Sequence, residues 1–263
     1  MKLDSVQKIT LSGIFIALVI ILTRFLALQY IPIIPFVRIS LGPALVIFSS
    51  LLLGPVYGGI IGGLSDFLGI LLVPNPQGFM INPFITLIYT LLGVLPWVTL
   101  FVIKKIKMTK SAPFIFFGAI LAIWLFVLFF LLFNDSIILY GAVYQFNTLS
   151  KTLIIAISFV LSVLMSVAIF FTNRYITKKK YNSTLLATPY QVAFVALVSE
   201  VLLMLLVGSV VKTYLFGVDF MFIFFAQAVV LFINIPLNTF VTSYLLVLSS
   251  RLYIMHEGDI SNG

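Results

Sequence analysis

The sequence predicts an all-α membrane protein, a polytopic transmembrane helix bundle of eight spans forming one integral membrane domain over residues 1–263. Three observations predict it. The chain is 62% hydrophobic and 8% charged, whereas a soluble domain needs about a quarter of its residues charged to cover its surface. Apolar runs of roughly the 20 residues that cross a hydrocarbon core recur along the chain. The fifteen Lys and Arg stand in short clusters between those runs. That pattern orients membrane proteins; it does not build a phosphate-binding face. With no cysteine, disulfides, thiolate chemistry and Cys-ligated metals are excluded.

The first span covers residues 9–28. The stretch before it lacks a small-residue cleavage site and runs straight into a full-length span, so it reads as a retained helix and not a removed signal peptide. Gly13 and Ala17 lie four apart, a spacing that lets another helix approach closely, from this chain or from a partner subunit. Arg24 lies near the far end, where its long side chain reaches interfacial water or a ligand. A loop with Pro32 and Pro35 leads to Arg38.

The run from Leu41 to Leu72 is either one broken helix or two, divided at Gly54-Pro55. Charge parity decides it. With two helices the spans are 40–53, 56–72, 82–103, 112–133, 150–172, 189–211 and 220–249 after the first. Eleven of the fifteen basic residues then share one side with the N-terminus, leaving Arg24, Arg38, Lys151 and Lys212 at the other. The positive-inside bias therefore predicts eight spans with both termini cytoplasmic.

In the third span Gly58, Gly59, Gly62, Gly63 and Gly69 share a face with Asp66. An acid at this depth is costly unless paired or wet. Asp66 either answers Arg24 or Arg38, or helps form a polar cavity, or staples the helix end. The following loop, VPNPQGFM, carries Gln77, and Asn82-Pro83 open the fourth span. Backbone freed by its prolines must be satisfied inside the protein or by a ligand, so this loop reads as a wall of a site or as a plain turn. Glu200 sits midway along the seventh span, where a lone acid is protonated, paired inside the bundle or part of a transport path. Pro236 is expected to break the last span, and Asn234 and Asn238 form a second polar stripe there. Residues 253–263 read as a polar, disordered tail.

No inverted repeat is visible, which argues against a self-sufficient alternating-access carrier. No GxxxxGK[ST] loop is present, so any ATP hydrolysis belongs to partners. Paired acids, a His/Asp set and a metal cluster are all lacking, which argues against an enzyme, and the sequence calls for no cofactor.

The run RISLGPALVIFSSLLLGPVYGGIIGGLSDFLGILLVP resembles the substrate-binding S components of energy-coupling factor (ECF) vitamin transporters, most closely their folate-family branch. The features that carry it are Arg38–Gly42, the Leu52–Pro55 turn, the glycine-rich stretch ending in Ser65 and Asp66, and Leu237-Asn238-Thr239 in the last span. The family's core has six helices; residues 1–110 and 181–252 would supply it, with 111–180 an inserted helical pair. The resemblance implies a high-affinity subunit that captures a vitamin, folate or a related compound, at the outer face of a bacterial cell membrane. It then docks on a transmembrane coupling subunit driven by two cytosolic ATPases. The implied substrate residues are Arg24, Arg38, Asp66, Gln77, Asn82, Asn234 and Asn238, and Gly13 and Ala17 would form the docking surface. An S component for a different vitamin or precursor, and a structural or regulatory membrane subunit, stand as alternatives.

Overall fold

The computed structural model describes residues 4–26, 28–31, 34–73, 81–106, 112–139, 142–178 and 187–261. Helices follow wherever the apolar runs led one to expect them: α1 (Ser5–Arg24), α2 (Gly42–Leu53), α3 (Pro55–Leu72), α4 (Pro83–Lys105), α5 (Ala112–Phe133), α6 (Thr148–Lys178), α7 (Pro189–Ser199) and, two segments further on, α9 (Phe220–Ser261). A π-helical segment, Glu200–Val207, joins α7 to α8 (Gly208–Phe216), so these three read as one rod. Among the described residues seven rods are long and apolar enough to cross a membrane, and Gly42–Leu53 is a shorter apolar helix. The polytopic helical bundle is therefore the architecture, with seven rods among the described residues long enough for a span and α2 falling short of that length.

The boundaries have local causes. Proline opens α2, α3, α4 and α7, where its missing N–H would be unsatisfied anyway. Gly54 takes φ 98° between α2 and α3, a left-handed turn that a side chain would strain. That turn makes two helices of the 41–72 run. Asn82 caps α4, its Oδ1 accepting from the Phe84 and Ile85 amides at 2.9 and 3.3 Å.

Four details differ from the sequence reading. The first helix starts at Ser5 and ends at Arg24, earlier than 9–28, because the polar residues before Ile9 continue the turn. Pro236 does not break the last span; α9 runs through it, as membrane helices do when neighbours re-satisfy the freed backbone. The same helix continues to Ser261, past the span end expected at 249, propagation onto an existing helix being far cheaper than nucleation. Two stretches taken as loops hold antiparallel hairpins, β1 (Leu28–Ile31) with β2 (Ile34–Ile39), and β3 (Ser136–Leu139) with β4 (Ala142–Gln145).

Chain order alternates the connections between two ends of the bundle. Both hairpins, the α3–α4 connection and the α8–α9 turn fall at one end, here the hairpin end. α2 occupies the middle: Ala44, Val46 and Ile47 are wholly buried, and Thr242 on α9 donates to the Ala44 carbonyl at 3.0 Å. α3 and α4 pack closest of all. A Cβ at Gly58 would run into the Gly93 carbonyl, and one at Gly62 into the Tyr89 carbonyl. The glycine face is thus a helix–helix contact. On the other side of α2, α5 and α6 pack on α7 and α9 through Phe116, Leu131, Met165 and Ile169, with Phe130 stacked on Phe225 at 4.5 Å.

Candidate functional site

Among the described residues, three groups of polar side chains inside this bundle stand out. The first joins α1, α3 and α4 at the hairpin end. Arg24, in the last turn of α1, is buried and points its Nη2 at Asp66 Oδ1 and at the Asp66 carbonyl, each at 3.4 Å. Thr86, one turn into α4, donates to Asp66 Oδ2 at 2.9 Å. Gly69, three residues after Asp66, gives the guanidinium its seat, for a Cβ there would come within 2.9 Å of Arg24 Nε. Of the readings open for Asp66, pairing with Arg24 is the one found. Two charges taken out of water are tolerated here because they meet each other and a hydroxyl.

The second group lies deeper, between the α7–α8 rod and α9. Asn238 Nδ2 donates to Glu200 Oε1 at 2.7 Å, with the two residues 0% and 1% exposed. Glu200 is therefore paired inside the bundle. It begins the π-helical segment, whose wider turn resets the face that the following residues present. Around the pair, Ser199 Oγ, Asn234 Oδ1, Asn238 Oδ1 and Ser243 Oγ are buried with no hydrogen-bond partner among the described residues. Such a concentration of unsatisfied groups is costly, and marks this seam as a polar part of the interior.

The third group escaped the sequence reading. Lys212 on α8 donates to Gln227 Oε1 on α9 at 3.2 Å, and Gln227 Nε2 donates to Ser209 Oγ at 2.7 Å. The signal was present: Lys212 and Gln227 stand at similar distances before and after the α8–α9 turn, which places them at one depth.

The residues singled out from the sequence thus fall into separate sets. Arg24 and Asp66 meet. Asn82 caps α4 one turn before Thr86. Asn238 pairs with Glu200, and Asn234 lies one turn earlier on the same face. Arg38 belongs to β2, which lies along α9 with Ile39 against Ala226 and Val230. Gln77 lies outside the described residues. Gly13 and Ala17 are exposed, and nothing lies within 4 Å of a Cβ built on Gly13. Close packing inside the chain is therefore not what Gly13 serves. Among the described residues, no three His, Asp or Glu side chains come together to hold a metal ion.

The profile of a family described as "ECF transporter, substrate-specific component" matches residues 7–163, more than half of the chain. The match takes in α1 to α5 and the first half of α6. A protein named folate transporter FolT, from Clostridium novyi (strain NT), is 37% identical over 73 residues. That alignment covers 27% of this chain and 40% of the relative, so the chain spans about two-fifths of the length of the relative it matches. No solved structure matches.

Proposed function

The chain belongs to the substrate-specific components of ECF transporters, and from that premise we propose that it captures a vitamin, folate or a close relative, at the hairpin end of the bundle. As a transporter component it is not an enzyme. The observation that carries the reading is the family match over residues 7–163. The partial likeness to a folate transporter favours a pterin-bearing acid over other vitamins.

Three structural features support a site at this end. The β1–β2 hairpin rests on α9 and carries Arg38, a group suited to carboxylates through its planar pair of donors. Arg24, Asp66 and Thr86 lock α1, α3 and α4 together below it, with Asn82 at the start of α4 beside them. Asn234 and Asn238 supply amide groups between the helices for the edge of a heterocycle. In this arrangement Arg24 and Asp66 act chiefly by positioning helices, and Arg38 and the asparagines by contact.

The remaining steps belong to partners. A transmembrane coupling subunit and two cytosolic ATPases supply the driving force, and the exposed Gly13–Ala17 face of α1 is the docking surface. The membrane is that of a bacterial cell, and the bias of the basic clusters to one side supports cytoplasmic termini.

Thermal unfolding of the purified chain against a vitamin panel tests the reading, because a ligand that binds only the native state raises its apparent stability. Folic acid should raise the midpoint. Stabilisation by a different vitamin alone would keep the transport reading and replace the substrate. No response to any member, with no co-purifying ATPase subunit, would favour a structural membrane subunit.

A further inference from the structure

We propose that Glu200, Asn234 and Asn238, at mid-depth between the α7–α8 rod and α9, receive the N–H edge of the solute's ring, a neutral heterocycle carrying an amine beside a ring N–H. The inference rests on the capture reading above, and adds which chemical edge enters the bundle and which end of the solute leads.

One ridge of α9 carries the argument. Ala226, Val230, Asn234, Asn238 and Thr242 stand four apart, and residues so spaced form a row that winds obliquely along a helix. The chain from β2 into α2 covers both ends of that row. Ile39 packs on Ala226 and Val230, and the Ala44 carbonyl accepts from Thr242 Oγ1 at 3.0 Å. The two members between are the asparagines. Oδ1 of each is buried with no hydrogen-bond partner among the described residues. Asn234 keeps 9% of its surface exposed, against 5% for Gln227 nearer the hairpin end and 0% for Asn238. Free space therefore adjoins the row at the level of Asn234.

The acid decides what this row asks for. Asn238 Nδ2 donates to Glu200 Oε1 at 2.7 Å, which leaves the oxygen of that amide as the free acceptor. Two amide oxygens and a carboxylate accept hydrogen bonds, and none of these atoms donates. Such a set takes either a metal cation or a row of N–H groups. Lys212, further along the same rod, already sets its charge against Glu200. The seam thus lacks donors rather than positive charge, which favours a neutral ring over an ion. An amine beside a ring N–H offers two parallel donors, the pattern that matches the two oxygens of a carboxylate. Glu200 also opens the π-helical segment, a widened turn of a kind frequent at functional sites.

Depth sets the orientation. Glu200 lies roughly 20 Å of rod below Phe216, where α8 ends. A solute that reaches it from the hairpin end is elongated, with its ring leading and its tail left near β2.

The experiment uses the full chain in nanodiscs and reads affinity from thermal stabilisation. The panel is folic, pantothenic and nicotinic acids, biotin, riboflavin, thiamin and pyridoxine. Two probes extend it: 2-deaminofolic acid, which lacks the ring amine, and p-aminobenzoylglutamate, which lacks the ring. Folic acid should stabilise the wild type. The deamino acid should bind roughly ten- to a hundredfold more weakly, as loss of a hydrogen bond to a charged group implies, and p-aminobenzoylglutamate should leave the midpoint unmoved. In Glu200→Gln the affinity for folic acid should fall by a similar factor, and its preference over the deamino acid should shrink to a few-fold. Asn234→Ala should shrink that preference as well. A variant that merely loosened the bundle would weaken both acids equally and keep the preference; midpoints without ligand show that each variant folds. Equal wild-type affinity for the two acids, or an unchanged preference in both variants, would overturn the assignment. A midpoint higher in sodium than in choline chloride, with the difference lost in Glu200→Gln, would make the seam a cation site and reject the proposal. Stabilisation only by a vitamin other than folic acid would overturn it and leave capture intact. No response to any panel member would sink the capture reading and this one with it.

Discussion

Arg24 and Asp66 face each other at 3.4 Å between α1 and α3, with side chains 3% and 4% exposed. Removing one partner from such a pair strands the other charge in a low-dielectric interior. Asp66→Ala should cost about 3–5 kcal/mol of stability. The double variant Arg24→Met, Asp66→Leu should be less damaging than Asp66→Ala alone, since it strands nothing. Unfolding midpoints in detergent measure both, and a wild-type midpoint for Asp66→Ala would refute the structural role.

The α3–α4 contact is tested through its glycines. Gly62→Ala forces a methyl against the Tyr89 carbonyl and should cost about 1–3 kcal/mol, the usual penalty for overpacking. Gly13→Ala meets open space and should leave the isolated chain as stable as wild type. A bulky Gly13→Trp should keep that stability and still reduce co-purification of the coupling subunit. If Gly13→Trp assembles normally, the docking face lies elsewhere.

The Glu200–Asn238 bond joins the α7–α8 rod to α9. Asn238→Ala leaves a buried carboxyl without its donor and should destabilise by about 1–3 kcal/mol. Glu200→Gln retains an acceptor oxygen at the same place and should cost less. The order of the two midpoints is the readout; a reversed order would mean that the negative charge itself is what the seam requires.

Ligand affinity separates the two hairpins. Arg38→Ala should weaken binding roughly tenfold or more, as loss of a charge-assisted hydrogen bond does. Lys151→Ala, at the β3–β4 hairpin, removes only an ion pair with Asp135, whose side chain is 95% exposed. Pairs of that kind contribute little, so affinity and stability should hardly change. Equal affinities for Arg38→Ala and wild type would remove Arg38 from the site.

Much of the fold was legible because membrane helices announce themselves by length and by what interrupts them. Gly54-Pro55 divides α2 from α3, and the basic clusters require that division. The hairpins were not legible. In a stretch such as LQYIPIIPFVRI nearly every position is apolar, so the alternation that identifies a strand in water is missing, and Pro32 and Pro35 suggest a loop. The Arg24–Asp66 pair was within reach, since span parity puts both residues at one end. The donor to Glu200 was not, because Asn238 lies in another span and depth alone does not say which helices touch. The π-helical segment left no mark at all in EVLLMLLV. Lys212 was visible as a charge, but its inward turn depends on Gln227, which only the α8–α9 packing supplies.

α2 has 12 residues, about 18 Å of helix in a hydrocarbon layer of about 30 Å. The remaining thickness, about 12 Å, has to be filled at the ends of α2 by residues outside it, the β2 strand before Gly42 and the Gly54 turn after Leu53.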